Sequence, residues 1–442
     1  MAETKRSNRD SIKVSEYIDV FYRKFWNNQN IDRNTFLPQE QLLTVNRHII
    51  WAAYKLGMSK GDERKTVQLA GETAKYHIAG DATIQDSVKG MATDYRRQVA
   101  CRVFHGVGNF GSPSGDLGAA ARYTSIQGTP LLSAIIKDIP YVPKKVDETG
   151  EILPAWISMP YPMMLVNGAS QIGLGKAAYF CERDVNEVMD WIEDNLLKGE
   201  NTPIPHPISS TGCHVWVNPK NGYVVYEAVI NKEGKYDVIT ALPPKVSVYN
   251  LMLTLNKKLP KSVSSKILDA SGEGAPICIK VPHGHITKSL SKYNLQNARK
   301  EAHYIWDEDL DTMRMSTFEE VASIWFRERQ KIVKMRLEAE IAKSERDIHR
   351  INLIAEHQEK NMDPWEEEKI IEYFGPEDAN IIFNTTKRAF LPGSLRKNEE
   401  IKKKLIKEIS ETKKNIKNIG QFVINEARDL IKEQEKFYKD KE

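Results

Sequence analysis

The chain has 442 residues, of which 40% are hydrophobic, 9% aromatic and 28% charged, with 25 Gly and 20 Pro. That is more than one core comfortably organises, so two to four domains are expected, and the composition excludes a disordered chain, a collagen-like repeat and a disulfide-stapled miniprotein. Sixty-four Lys plus Arg against 60 Asp plus Glu leave a net charge of +4, too near balance to name a partner, although Met1 to Ser125 holds 18 basic and 13 acidic side chains. That modest excess permits contact with nucleic acid.

Nothing at the start reads as a secretory signal, because no apolar core follows the charges of Met1 to Asp10. The longest apolar stretch, Met163 to Val166 with its flanks, falls far short of the roughly 20 residues of a membrane span. A soluble, cytoplasmic protein is expected. Cys101, Cys181, Cys213 and Cys278 are scattered, with no CxxC pair or zinc spacing. Four free thiols in a reducing compartment are the natural reading.

Three textures follow one another along the chain. Up to about Asp138 it reads as helices broken by short loops, closing on the small-residue stretch Gly106 to Ala121. From about Ile139 to Leu310 prolines cluster and β-rich runs appear, Cys213 to Val217 and Tyr223 to Ile230. Asn221-Gly222 ahead of the second run predicts a hairpin turn. From Ser316 the chain is helical and densely charged, and Ser316 with Glu319 predicts a capping box. Val321, Trp325, Ile332, Met335, Ala339 and Ala342 follow a heptad stripe, as do Leu405, Ile409, Thr412, Ile416, Ile419 and Val423. Between them, about His357 to Gly393, lie Pro364, Pro376 and Pro392. Two long helices flanking a knob suggest an antiparallel hairpin; the plainer alternative is two amphipathic helices in a bundle.

Several motif matches fail on context. Gly106 to Gly111 has dinucleotide-fingerprint spacing, but the acidic residue needed about 20 positions on is missing near Pro130. Gly168 to Gly173 has P-loop spacing with Leu174 where the lysine must stand. Asp307 to Asp311 reads as a solvated approach to a helix, and His283-Gly-His285 lacks the company of a metal site. No metal ligand set is predicted.

Gly108-Asn-Phe-Gly-Ser112, Gly115-Asp116 and Ala119-Ala-Ala-Arg-Tyr-Thr124 together resemble the active-tyrosine segment of type IIA DNA topoisomerases. Lys75-Tyr-His-Ile-Ala-Gly-Asp81 is similar to that family's Lys-Tyr-His-Pro-His-Gly-Asp, and Leu165 to Gly175 to its Leu-Val-Asn-Gly-x-x-x-Ile-x-x-Gly. The three motifs keep the family's order and spacing. The resemblance covers gyrase A, its topoisomerase IV counterpart and the T-even phage medium subunit, whose layout is nearest.

The resemblance implies an α+β multidomain fold. Its parts would be an N-terminal arm over 1–30, a winged-helix catalytic domain over 31–138 and a β-rich tower over 139–315. A coiled-coil helix over 316–356, a dimerisation knob or C-gate over 357–396 and a return helix over 397–442 would complete it. It also implies that Tyr123 attacks DNA, with Arg122 as the adjacent cation. A phenol is a poor nucleophile until its phenolate is stabilised, and a guanidinium offers a permanent charge with donors matched to a phosphodiester. His77, Arg47, Arg33 and Lys75 would contact the DNA phosphates, and Ile172 would wedge between base pairs. Where relatives have Leu-Lys-Pro-Val-His-Arg-Arg this chain has Leu42 to His48, with Leu43, Asn46 and His48 replacing a lysine, a histidine and an arginine, and Ala79 replaces the second histidine of the glycine-aspartate loop.

The resemblance carries further expectations: double-stranded DNA as substrate, a homodimer, and a large ATPase/Toprim subunit binding both Mg²⁺ and ATP in a heterotetramer. The chain shows no room for a DNA-wrapping β-pinwheel, so relaxation and decatenation are expected without negative supercoiling. The competing readings are a catalytically silent DNA-bending dimer and a nicotinamide-linked enzyme.

Overall fold

The computed structural model describes residues 12–33, 36–146, 150–173, 175–272, 275–360, 366–390 and 394–441, without the side chains of residues 32, 33, 96, 387 and 388. It divides into two compact units, one running to Arg329 and taking in Ile424 onward, the other Gln330–Val423. Helices and sheets are mixed, and a long helix lies in the last third. No helix among the described residues is long and apolar enough to cross a membrane. All four cysteines are free.

The first unit opens with a helical run from Val14 that leads into helix α1 (Arg23–Arg33), followed by α2 (Thr44–Lys55), whose Ile49, Ile50, Ala52 and Ala53 are fully buried. Strand β1 (Glu63–Lys65), helices α3 (Thr66–Thr73) and α4 (Asp81–Ala92), and strands β2 (Phe104–Val107) and β3 (Ser125–Gly128) come next. The strands form an antiparallel sheet in the order β1-β3-β2, with Ile126 opposite both Arg64 and Gly106. Leu69, Ile84, Val88, Met91 and Ile126 close the core between helices and sheet. Helix α5 (Pro130–Asp138) starts cleanly because Thr129 caps it and Pro130 sits where an N–H would have no helical partner.

A short helix α6 (Met163–Asn167) leads into the hairpin β4 (Gly168–Ile172) and β5 (Ala177–Arg183). Gly168 is forced here: it has φ +66°, and a Cβ on it would come within 2.9 Å of the Glu182 nitrogen. The Asn221-Gly222 turn is observed, joining β6 (His214–Val217) to β7 (Val224–Glu227). The run that reads as one strand to Ile230 is instead broken at Ala228, whose N–H donates to the Leu295 carbonyl. Past that break the chain enters another sheet as β8 (Val229–Glu233), paired with β9 (Tyr236–Ala241), which pairs with β10 (Ile279–Pro282). Helix α7 (Val248–Lys258) packs Leu251 and Leu255 on Ile239, Ile279 and Val281. Strand β11 (Gln296–Arg299) adds to β7.

Helix α8 (Phe318–Glu359) is capped one residue later than expected. The Thr317 hydroxyl accepts from the Glu320 N–H at 3.2 Å, while Ser316 donates its own hydroxyl to the Glu320 carboxylate. In the first unit Arg329 is buried and holds Asp138 and Glu426. In the second unit the expected stripe drifts: Ile332 is buried, Met335 is exposed, and burial passes to Arg336 and Leu337. A straight helix of 3.6 residues per turn departs from a strict heptad in this way. Helix α9 (Glu367–Phe383) bends at Gly375 (φ +79°), ahead of Pro376. Helix α10 (Ser394–Lys417) runs antiparallel to α8, since Gln358 meets Ser394 and Lys413 meets Glu345. Its stripe Leu405, Ile409, Thr412 and Ile416 forms the half-buried face. Helix α11 (Ile419–Lys439) is the last helix among the described residues.

Candidate functional site

Tyr123 closes the loop between β2 and β3, and its ring is 71% exposed. The approach, Ala119 to Tyr123, is a turn, with the Tyr123 N–H donating to the Ala120 carbonyl at 2.9 Å. Glycine packing fixes the loop behind it. A Cβ on Gly118 would lie 2.7 Å from the Phe110 carbonyl carbon, and one on Gly111 would lie 2.6 Å from the Asp116 oxygen. The Asp116 carboxylate accepts from the Ser112 and Ser114 hydroxyls, which hold it below the ordinary aspartate range.

The loop is also tied to the start of α3. The Thr66 N–H donates to the Thr124 carbonyl at 3.1 Å and the Val67 N–H to the Ala121 carbonyl at 3.3 Å. Those donors have no partner inside a helix, so the loop supplies what the helix start lacks. The buried hydroxyls of Thr66 and Thr124 meet at 2.8 Å. Tyr123 is therefore held from its backbone while its phenol stays free to reach solvent. Arg122 is exposed beside it, its guanidinium carbon 5.9 Å from the centroid of the Tyr123 ring. Tyr76 differs: partial burial, then Glu72, push its phenol up to about 12.

The remaining expected residues are distributed. His77 follows the far end of α3, its N–H bonded to the Thr73 carbonyl. The eight residues of α3 put about 12 Å of helix between it and the Tyr123 loop. Its Nδ1 lies 3.2 Å from Nδ1 of His48. Lys75 is exposed and paired with Glu72 at 2.6 Å. Arg47 departs from the expectation of an open phosphate contact: it is 3% exposed, its Nε 2.7 Å from Glu40, which is fully buried. Glu40 also accepts from the Ile157 N–H at 2.9 Å; burial pushes its carboxyl up, and the Arg47 charge opposes that. A buried carboxylate needs such a cation. The Arg33 side chain lies outside the described residues.

Ile172 stands at the end of β4, opposite Ala177 and 79% exposed. An isoleucine so bare at a hairpin tip has no packing role of its own. Gly168 to Ile172 is a strand here, and Gly106 sits within β2, so neither glycine match opens a helix as a nucleotide loop would. Among the described residues no three His, Cys, Asp or Glu side chains gather as for a metal ion. Sequence reasoning missed Glu40 and Thr66; only Thr124 carried a signal, as the last residue of the Arg-Tyr-Thr run.

The chain is similar to known proteins. The model of the DNA gyrase/topoisomerase IV A-subunit family matches residues 42–434. The gyrase A protein of Helicobacter pylori J99 is 34% identical over 161 residues, 34% of this chain and 19% of that protein. The Campylobacter fetus gyrase A is 30% identical over 190 residues, 41% and 21% of the two chains. The Spiroplasma citri gyrase A is 33% identical over 159 residues, 35% and 69%. The matched stretch thus spans about a fifth of the length of the first two relatives. With the family model covering most of its length and an exposed Arg-Tyr pair on a rigid loop, the chain belongs to the DNA gyrase/topoisomerase IV A-subunit family.

Proposed function

We propose that this chain is the DNA-cleaving and rejoining subunit of an ATP-dependent type II DNA topoisomerase. The observation that carries the reading is the presentation of Tyr123: an exposed phenol, an exposed guanidinium beside it, and a backbone pinned by glycines and by α3. The Tyr123 oxygen would attack a phosphodiester, losing its proton. The 3′ oxygen leaves and gains one, and the strand stays attached through a 5′-phosphotyrosine. Reversal reseals the strand, and because one phosphodiester replaces another, neither step needs external energy. Arg122 would balance charge at the reacting phosphorus, as fixed donors do for a developing oxyanion.

The helix–strand–helix–helix–strand–strand order of α2 to β3 supports a winged-helix domain, with the Tyr123 loop as its wing. The segment 139–315, with the sheets of β4 to β11, would be the tower, α8 with α10 the coiled coil, and 357–396, with α9, the C-gate knob. His77 and Lys75 are proposed DNA contacts, and Arg33 joins them on the resemblance. Arg47 would act through Glu40, positioning α2 rather than touching DNA. Ile172 would enter the base stack and kink the duplex. Cutting both strands takes two such tyrosines, hence a homodimer, with a separate large subunit carrying Mg²⁺ and ATP in a heterotetramer. Passage of a second duplex would then relax and decatenate DNA in the cytoplasm, the host's if a phage encodes the chain.

The test is to mix the chain with its ATPase subunit, Mg²⁺, ATP and end-labelled DNA, then denature. Label covalently held on this chain, and absent in Tyr123→Phe, is expected. DNA binding and bending without trapped label would instead mark a silent architectural dimer.

A further inference from the structure

Two residues before the Ile172 tip, the Ser170 hydroxyl is approached by two cations at once. Lys245 Nζ lies 2.9 Å from its oxygen and Arg299 Nη1 3.2 Å. A hydroxyl has two acceptor lone pairs and one proton. With both lone pairs taken by cationic donors, the Ser170 proton is left to point outward. Among the described residues no carboxylate pairs with either Lys245 or Arg299, and the groups acting on Lys245 are its own desolvation and the Arg299 charge, both holding its amine below the ordinary value. Like charges are not brought together at a surface without cost unless something anionic joins them. The backbone adds to that cost, since Lys245 sits at φ +69°, a left-handed conformation that side chains seldom take.

These three residues line a cleft of about 980 Å³ that is also lined by the Tyr123 loop, from Ser112 to Leu117. Acids on the cleft wall are already engaged: Asp116 by the Ser112 and Ser114 hydroxyls, and Glu182 by the N–H and hydroxyl of Ser210. Lys245, which also donates to the Ser170 carbonyl at 3.4 Å, keeps one N–H for an incoming ligand, and the Arg299 guanidinium keeps several. Three donors with two net charges and space in front fit a tetrahedral oxyanion of phosphate type.

We infer that Ser170, Lys245 and Arg299 form a seat for one phosphodiester of the DNA strand that passes the Ile172 tip. The inference rests on the cleavage reading under Proposed function. Ile172 can lever bases apart only if the backbone beside it is gripped, and Ser170 lies on the same strand, β4, as Ile172. The seat takes hold of the sugar-phosphate chain while the isoleucine enters the stack.

The test uses the complex with its ATPase subunit, on a duplex where wild type traps adduct, with single linkages replaced in turn by uncharged methylphosphonate. At one linkage beside the kink, neutralisation should weaken wild-type binding roughly tenfold. It should leave the Lys245→Gln/Arg299→Gln double variant unaffected. The salt slope of that variant should fall by about one per cation removed. Ser170→Ala, which keeps both charges, should show a smaller loss at the same linkage. Inorganic phosphate is the second arm, followed by ³¹P line broadening. Phosphate saturating the wild type but not the double variant, with no linkage coupled, would assign the seat to free phosphate and overturn the DNA assignment. A complex that cuts DNA but couples no linkage also overturns the seat and leaves the cleavage reading standing. A complex that neither binds nor cuts overturns both.

Discussion

His48 and His77 face each other through like atoms, Nδ1 to Nδ1 at 3.2 Å, with ring centroids 5.2 Å apart. One nitrogen must donate and the other accept, so this contact holds a single proton. His48 is thereby one group that orients His77. His77→Ala should slow single-turnover adduct formation by about 10²–10³-fold, the usual loss for one fixed donor at a reacting oxyanion. His48→Ala removes only the orientation and should cost on the order of tenfold. Equal rates in all three proteins would separate both histidines from the chemistry.

Tyr123→Phe removes one oxygen from an exposed ring. Stability should stay within about 0.5 kcal/mol of wild type in urea unfolding, as for other surface changes. Covalent adduct should vanish altogether while duplex affinity is retained. Residual adduct would point to a different nucleophile.

Arg47→Ala should behave in the opposite way. It strands the buried Glu40 carboxylate, which should cost about 3–5 kcal/mol. Chemical unfolding reads this directly. Loss of DNA affinity with unchanged stability would mean that Arg47 turns outward to the phosphate after all.

Glu301 ties β5 to the segment after β11. It accepts from the Cys181 N–H at 2.8 Å and from Arg183 at 2.7 and 3.0 Å. Burial alone would raise its carboxyl, but His303 and Arg183 outweigh that and hold it well below the usual range. A carboxyl lowered on folding contributes stability that is complete above its unfolded value of about 4.3 and is lost as pH falls through the folded one. The stability gap between wild type and Glu301→Gln should therefore be present at about pH 5 and close only in stronger acid. Urea titrations at several pH values check the sign.

Ile172→Ala should leave thermal unfolding unchanged, because the side chain is 79% exposed. It should weaken DNA bending, read by energy transfer between duplex ends, since a wedge recovers an unstacking cost of a few kcal/mol through the kink it makes. Unaltered bending would remove Ile172 from the site.

How far the sequence could be read depended on distance along the chain. Short-range signals survived: the Asn221-Gly222 hairpin, the stripe on α10 and the Arg-Tyr-Thr run each depend on neighbours within a few residues. Where two adjacent residues compete, local rules slipped by one. Thr317 took the cap from Ser316 because Ser316 is drawn to the Glu320 carboxylate, which Arg314 also binds. The inward turn of Arg47 was illegible, since its reason, Glu40, is an ordinary acid until the fold buries it beneath Ile157. Ser170, Lys245 and Arg299 lie up to 129 positions apart, and no pattern in one sequence joins them.

Glu40 and its neighbour Gln41 reach further than their own turn. Glu40 receives the Ile157 N–H, Gln41 receives the Met164 N–H at 3.1 Å, and Gln98 donates to the Val166 and Arg183 carbonyls. The roots of the β4–β5 hairpin are thus bolted to the frame that carries the Tyr123 loop. On the proposed reading, the separation between the scissile bond and the bend would be a property of the protein, like the gap of a caliper, and a duplex would have to conform to that gauge to be cut.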